Sequence, residues 1–430
     1  MKIKIIKTIF FENLGIKQTL LKNAFWLALA EFFSNGIYFL VFIWLARYLG
    51  PQTYGKWSFA LSFVSFFAVF VDFGFTMLII RELARDKTKS SEYIGNILTM
   101  KLILGLAVTA LAALAIRLLS RDSMVINLVY FLSLYIVINN FAALFQAIFR
   151  ANEKMEYEAV CRIAQSLCLL VLSAFFILNK SSVLFISSAF LIASFIGASF
   201  SLFFLKAYLL RPSFKADFKI WKEIAKKAWP FLFSGIFYMI YFVMGSVMLG
   251  IFSNMEEVGY YNAAYNLFLA VFIVPSVVTM SFFPKISYFY EKNKTELQKI
   301  FFNYRLVMVA IGFLLSIGLF LSANFLVIKI YSLDYSASVA LLKVLSFIIL
   351  VKSLSYVYNW FLSGSNEQKK VLVASGLASI LNIILNYFLI IRYNAMGAII
   401  ATAIIELFLL AVFYLYFKKK WHEIYNTDKI

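Results

Sequence analysis

The chain has 430 residues, of which 63% are hydrophobic and only 14% charged, with a formal net charge of +19. A soluble domain is nearer half apolar, and the mean hydropathy of +0.87 leaves too little polar surface for a water-facing body, so the chain reads as a polytopic membrane protein. The lysines and arginines lie between apolar runs, where the positive-inside rule puts them, which removes nucleic acid as the reason for the charge.

Residues 1–23 carry Lys2, Lys4, Lys7, Lys17 and Lys22 among isoleucines and phenylalanines, with no small-residue cleavage site, and read as an uncleaved cytoplasmic or interfacial lead. Apolar runs then recur at the length needed to cross ~30 Å of hydrocarbon at ~1.5 Å per residue. They cover 24–46, 57–80, 94–116, 125–149, 159–178, 183–206, 230–251, 260–283, 305–324, 338–362, 371–391 and 397–417, which predicts twelve spans. With the N-terminus inside, the inside segments hold about 30 of the 40 Lys and Arg, and the outside ones Arg47, Lys56, Arg117, Arg121, Lys180, Lys329 and Arg392. That asymmetry places both termini in the cytoplasm. Cys161 and Cys168 share one run and read as packing residues. The single histidine, His422, sits in the tail, so a histidine metal site or triad is excluded from the membrane body.

The connection at 207–229 has Phe218, Trp221, Ile224 and Ala225 at helical spacing with lysines between, an interfacial amphipathic linker. A second such helix is expected over 291–305. Pro230 suits a first helical turn, and Pro275 should kink its span. The expected organisation is a lead (1–23), a six-helix bundle (24–206), the linker (207–229), a second six-helix bundle (230–417) and a cytoplasmic tail (418–430).

The two halves echo each other. Lys22-Asn23-Ala24-Phe25-Trp26 falls on Lys226-Lys227-Ala228-Trp229-Pro230. At the same offset of 204, Tyr54-Gly55 falls on Val258-Gly259 and Lys101 on Arg305; later Asn152-Glu153 matches Asn366-Glu367. Six spans and six more with the same start make a parallel repeat, with its axis along the membrane normal and the substrate path between the halves.

Leu49-Gly50-Pro51 through Tyr54-Gly55, then Asp72-Phe73-Gly74 and Arg81-Glu82-Leu83-Ala84, resemble the opening of the polysaccharide-transport proteins. These include the O-antigen and capsule flippases of the multidrug/oligosaccharidyl-lipid/polysaccharide (MOP) exporter superfamily. Asn382-Ile383-Ile384-Leu385-Asn386-Tyr387 and Gly397-Ala398-Ile399-Ile400-Ala401-Thr402 resemble that family's last two spans. The resemblance implies two six-helix bundles facing a central cavity. It also implies a cargo of undecaprenyl-diphosphate-linked oligosaccharide, moved from the inner to the outer leaflet of the cytoplasmic membrane by alternating access. Membrane lipids, other polysaccharide assembly proteins and a coupling proton or sodium ion are the further partners it brings in. No cofactor, metal or catalytic residue is expected.

A charge within the bilayer costs at least ~3 kcal/mol on insertion scales, so charges inside spans are functional candidates. Glu31, Asp72 and Lys101 each lie seven or eight residues from an inside end, in one layer ~10–12 Å deep. One reading is an ion pair that holds helices together; the other is a gate or proton-linked group. The repeat separates the roles: Lys101 recurs as Arg305, while Glu31 and Asp72 fall on Gly235 and Ser276. A phosphate clamp needs cations on both sides, whereas a coupling acid is needed once. Arg47, Arg81, Lys101, Arg305 and Lys352 are therefore the candidates for the diphosphate, and Glu31, Asp72 and Glu406 those for ion coupling or gating. Lys352 near mid-span has Glu406 as a candidate partner, and Lys343 can snorkel outward. Trp26, Trp57, Trp229 and Trp360 read as interface anchors, and Asn139, Asn140, Gln146 and Asn386 as interhelical or sugar-contacting amides.

Two other readings stand beside the flippase. A multidrug or cation antiporter of the same superfamily needs an acidic cavity, yet intramembrane cations here match or outnumber the acids. A non-transporting scaffold of a polysaccharide assembly complex is the second. A membrane glycosyltransferase or ligase needs a larger loop with acids, arginine or histidine than any present, and no G-x-x-x-x-G-K-[ST] phosphate loop exists for ATP, so no enzyme is expected.

Overall fold

The computed structural model of the chain describes residues 13, 15–209 and 212–426. Most of the N-terminal lead and residues 427–430 of the tail lie outside that range. The described residues form helices and short turns, and ten helices are long and apolar enough to cross a membrane. In chain order the α-helices are α1 (Ile16–Asp72), α2 (Phe75–Arg85), α3 (Ser90–Leu119), α4 (Ser123–Ala151), α5 (Met155–Leu178) and α6 (Val183–Tyr208), then α7 (Phe218–Phe252), α8 (Met255–Lys292), α9 (Lys294–Ile330), α10 (Ala337–Gly364) and α11 (Gln368–Asn426).

Two of these are far longer than a bilayer requires, and each breaks inside. α1 spans 57 residues and leaves helical geometry at Gly50, whose φ is 69°. Glycine takes that conformation without steric cost, and Pro51 after it has its φ preset for a helix start. α11 spans 59 residues and breaks at Asn394, at φ 50° and ψ −130°.

Sequence boundaries and structure differ at four places. The expected span over 57–80 is interrupted: α1 ends at Asp72, and Phe73 (φ 48°) and Gly74 (φ 80°) are both left-handed before α2 begins. The cause is tertiary, since a Cβ on Gly74 would lie 2.8 Å from the Ala228 carbonyl oxygen and 2.7 Å from the Phe231 Cβ. The amphipathic segments do not form separate helices. Residues 218–229 run continuously through Pro230 into the rest of α7. Of 291–305, Lys294 onward is the start of α9, after Asn293 caps its first turn by accepting from the Glu296 N–H at 3.0 Å. α8 runs unbroken through Pro275, whose carbonyl instead accepts from the Thr279 hydroxyl at 2.8 Å.

The chain divides into two compact units. The first comprises the residues up to Tyr48 together with Ala60–Met239, and the second Leu49–Phe59 together with Ile240–Ile430. The first is cored by Phe75, Leu78, Ile79 and Leu83 of α2, packed on Ile94 and Ile97 of α3 and Leu144 and Ile148 of α4. The α2 residues recur at i, i+3, i+4 and i+8, one face of a helix. The second is cored around Phe301, whose ring stacks on Phe417 and lies 5.0 Å from Trp421. Trp421 thereby ties the start of the expected tail into this core as a continuation of α11.

The outward faces are apolar too. Leu118 and Leu178 are about four-fifths exposed, and Leu321 three-quarters. Exposed leucines along helices whose backbone bonds are all internal are what a hydrocarbon solvent selects. The chain is a multi-pass membrane protein. Trp57 is not an interface anchor: it is 1% exposed and stacks on Tyr54 within the second unit. Tyr261 and Tyr265, stacked at 5.4 Å, are likewise core residues.

Candidate functional site

A gathering of polar side chains lies inside the first unit, around a cavity of about 360 Å³. α1 presents Glu31, Ser34, Asn35 and Tyr38, spaced i, i+3, i+4 and i+7 on one face. α4 adds Tyr135, Asn139, Ala143, Gln146 and Arg150, again close to one stripe, and α5 adds Arg162 and Gln165. Glu31 accepts from Arg162 Nη1 at 2.9 Å and from Asn35 Nδ2 at 2.9 Å. Gln165 Nε2 donates to Asn139 Oδ1 at 2.9 Å. Arg150 meets the fully buried Glu158 with two donors, Nε at 2.7 Å, and Arg162 lies 3.6 Å from the same carboxylate. Two guanidiniums therefore face two carboxylates, and the assembly is charge-balanced. Ser34 is 4% exposed, and its hydroxyl has no hydrogen-bond partner among the described residues.

A second pair closes the break after α1. Lys101 of α3, fully buried, donates to Asp72 Oδ1 at 2.9 Å, and Thr76 of α2 donates to the same oxygen. Asp72 thus spans the left-handed turn at Phe73 and Gly74 and joins three helices.

The third pair lies in the second unit. The Lys352 ammonium of α10 meets the Glu406 carboxylate of α11 and the Tyr241 hydroxyl of α7, with side-chain exposures of 5% and 2% for the ion pair. Four rings surround the ammonium: Tyr241 at 4.5 Å, Phe272 at 5.3 Å, Tyr356 at 5.7 Å and Phe242 at 5.8 Å from the ring centroids. An aromatic cage offsets part of the lost hydration of a cation.

The other basic candidates are nearer the surface. Arg81 lies 3.0 Å from Glu82 and over the Phe231 ring at 5.1 Å. Lys227 bridges Glu82 at 3.1 Å and Glu223 at 2.8 Å in the same unit. Arg305 is half-buried over Phe302 at 4.8 Å, and Lys343 lies over Phe320 at 5.5 Å. Arg47 is exposed on α1, three residues before the Gly50 break. Of the expected layer, Lys101 joins Asp72, while Glu31 joins Arg162. Sequence reasoning missed Ser34, Asn35, Tyr38, Arg150, Arg162 and Gln165. The available signal was their shared helical stripe with Glu31, Asn139 and Gln146.

An inward-facing multidrug resistance MATE family transporter of the MOP superfamily matches the fold with a TM-score of 0.77 at 17% identity, over 91% of this chain and 95% of that one. The lipid II flippase MurJ, in an inward closed conformation, matches with a TM-score of 0.77 at 16% identity, over 91% of this chain and 87% of that one. The architecture is the membrane-transporter fold shared by these proteins. The family profile described as "Polysaccharide biosynthesis protein" matches residues 20–290, and the chain belongs to that family. Among curated relatives, the "Putative O-antigen transporter" of Escherichia coli K12 is 24% identical over 390 residues, covering 85% of this chain and 89% of that protein.

Proposed function

We propose that the protein is a flippase. It carries undecaprenyl-diphosphate-linked oligosaccharide repeat units from the inner to the outer leaflet of the cytoplasmic membrane, by alternating access, for O-antigen or another surface polysaccharide. It makes and breaks no bond in its cargo. The proposal counts α1 and α11 as two crossings each, split at Gly50 and Asn394, which makes twelve from the ten long helices, and it takes the side of the termini from the basic loops.

One observation carries the choice of cargo. Among the described residues, the carboxylates set in the apolar spans, Glu31, Asp72, Glu158 and Glu406, are each held by a lysine or arginine. No surplus acid is left to receive a cationic drug. The fold does not make this choice, because a multidrug transporter and a lipid II flippase match it equally.

In this reading Arg47, Arg81, Lys101, Arg305 and Lys352 are the candidates for the cargo diphosphate, each as a separate contact along its path. Lys101 and Lys352 are already satisfied by Asp72 and Glu406, so a phosphate oxygen reaches either lysine only by displacing a carboxylate. That exchange gives the acids their role: a carboxylate that loses its cation takes up a proton or a sodium ion, which couples cargo to ion. Glu31, held by Arg162, is the third coupling or gating candidate. Deletion of the gene should make lipid-linked oligosaccharide accumulate on the inner leaflet, and restoring this gene alone should clear it. Unchanged leaflet distribution with loss of resistance to cationic dyes would instead establish the multidrug reading.

A further inference from the structure

We propose that the cavity in the first unit is a sugar-binding site, which takes the hydroxyl groups of a neutral sugar ring carried on an isoprenoid diphosphate and leaves the diphosphate to other residues. The proposal rests on the flippase reading above and adds a subsite to it.

Charge gives the first argument. The guanidiniums of Arg150 and Arg162 are already bonded to Glu158 and Glu31. A diphosphate entering the cavity would meet two carboxylates, and a cationic drug two guanidiniums. A neutral ligand meets neither penalty, because it leaves the two ion pairs intact.

The remaining polar groups are of one chemical kind. Four amides line the cavity: Asn35 Nδ2 is bonded to Glu31 and Gln165 Nε2 to Asn139 Oδ1, which leaves the Asn35 oxygen, the Asn139 nitrogen and both ends of the Gln146 amide to a ligand. A sugar hydroxyl is likewise both donor and acceptor, and two neighbouring hydroxyls match an amide edge. Tyr38 and Tyr135 add aromatic surface, which suits the C–H face of a sugar ring.

The hydroxyl of Ser34 is an independent sign. It lines the cavity, is buried, and has no partner among the described residues. A buried hydroxyl is rarely left unpaired without cause, and a ligand hydroxyl would supply the missing bond. A volume of about 360 Å³ also lies at the small end of ligand pockets. It suits a sugar ring and does not admit a polyprenyl tail.

The test uses the full chain in lipid nanodiscs with three probes: undecaprenyl diphosphate bearing one N-acetylglucosamine, bare undecaprenyl diphosphate, and free N-acetylglucosamine. Two variants are compared with the native chain. Ser34→Ala removes only the unpaired hydroxyl, and Ala143→Phe fills the cavity without touching a charge.

The native chain should bind the sugar-bearing lipid about tenfold more tightly than the bare lipid. Ser34→Ala should cut that advantage about threefold and Ala143→Phe abolish it, with affinity for the bare lipid unchanged in both. Equal binding of the two lipids by the native chain overturns the sugar site while leaving the flippase reading intact. Variants that weaken the bare lipid as much as the sugar-bearing one would show that the cavity holds phosphate. Free sugar bound as tightly as the sugar-bearing lipid would assign the cavity to soluble sugars. Binding of neither lipid overturns the flippase reading and this proposal with it.

Discussion

Gly55 and Gly259, which are 204 residues apart in sequence, pack reciprocally within the second unit. A Cβ on Gly55 would sit 1.6 Å from the Met255 carbonyl oxygen, and one on Gly259 would sit 2.1 Å from the Pro51 carbonyl oxygen. Pro51 and Met255 share the same offset, so each glycine faces the residue four positions before the other. Reciprocal contact of this kind is what a local two-fold relation between residues 51–55 and 255–259 produces. It also explains the glycines, since backbones this close leave no room for a side chain.

Gly55→Ala and Gly259→Ala should each destabilise the protein by about 3 kcal/mol or more, because the obstacle is backbone and cannot rotate away. Gly36→Ala and Gly318→Ala, where nothing lies within 4 Å of the added Cβ, serve as controls. They should be neutral or stabilising by up to ~1 kcal/mol, since alanine favours a helix. Thermal unfolding in detergent, followed by monodisperse yield, separates the two pairs.

The Lys352–Glu406 pair should show strong coupling. Lys352→Met or Glu406→Gln alone leaves a buried group without its partner and should cost about 3–5 kcal/mol. The double variant Lys352→Met/Glu406→Leu removes both charges and should recover most of that stability. If transport stays lost in the stable double variant, the pair has a role beyond holding α10 to α11. If transport returns with stability, the pair is structural only.

Much of this architecture was legible because lipid imposes a simple pattern. Apolar runs marked the helices. The break at Phe73-Gly74 was hidden: Asp72 beside it reads as a charge within one apolar run, and the approach of Ala228 and Phe231, far away in sequence, leaves room only for glycine at position 74. Pro230 suggested a first helical turn and Pro275 a kink, yet α7 and α8 run as single helices through both. At the site, Glu31, Asp72, Lys101, Lys352 and Glu406 stood out as charges within apolar runs. Arg162 did not, because it lies so near a span start that it reads as a topology-setting loop charge. Sequence gives the depth of a residue more readily than the direction it faces. The partnership of Glu31 with Arg162 was therefore invisible until α1 and α5 were placed side by side.

The coupling role proposed for Glu31 and Asp72 predicts an effect of pH. Glu31→Gln and Asp72→Asn should change the pH dependence of transport, since each removes a group able to exchange a cation for a proton. Asp72→Asn should also lower stability, because it strands the buried Lys101. Transport unchanged at every pH in both variants would remove the coupling role from these residues.

Glu367, between α10 and α11, lies outside the spans and gives a pH prediction for stability. Burial acts to raise its carboxyl, but hydrogen bonds from Lys370 and Lys420 outweigh this and hold it below the ordinary value of 4.5. The ion pairs measure 2.9 and 3.0 Å. A depressed folded pKa stabilises the fold above the unfolded value and loses that contribution as pH falls through the folded one. Glu367→Gln should therefore unfold at lower temperature than the native chain at neutral pH, and the gap should close as pH falls below roughly 4.3. A gap that persists in acid would mean that the pair contributes through shape and not through charge.

The most direct measurement of the central claim is leaflet exchange by the purified protein. Proteoliposomes containing this chain alone, loaded with undecaprenyl-diphosphate-linked oligosaccharide, are challenged with an impermeant glycosidase. The account predicts that nearly all of the lipid-linked sugar becomes accessible with time. In protein-free vesicles, or with Lys101→Met/Arg305→Met protein shown to be folded, only about the outer half should be cleaved. Cleavage that stops at the outer leaflet with the native protein, under an imposed proton or sodium gradient of either direction, would contradict it.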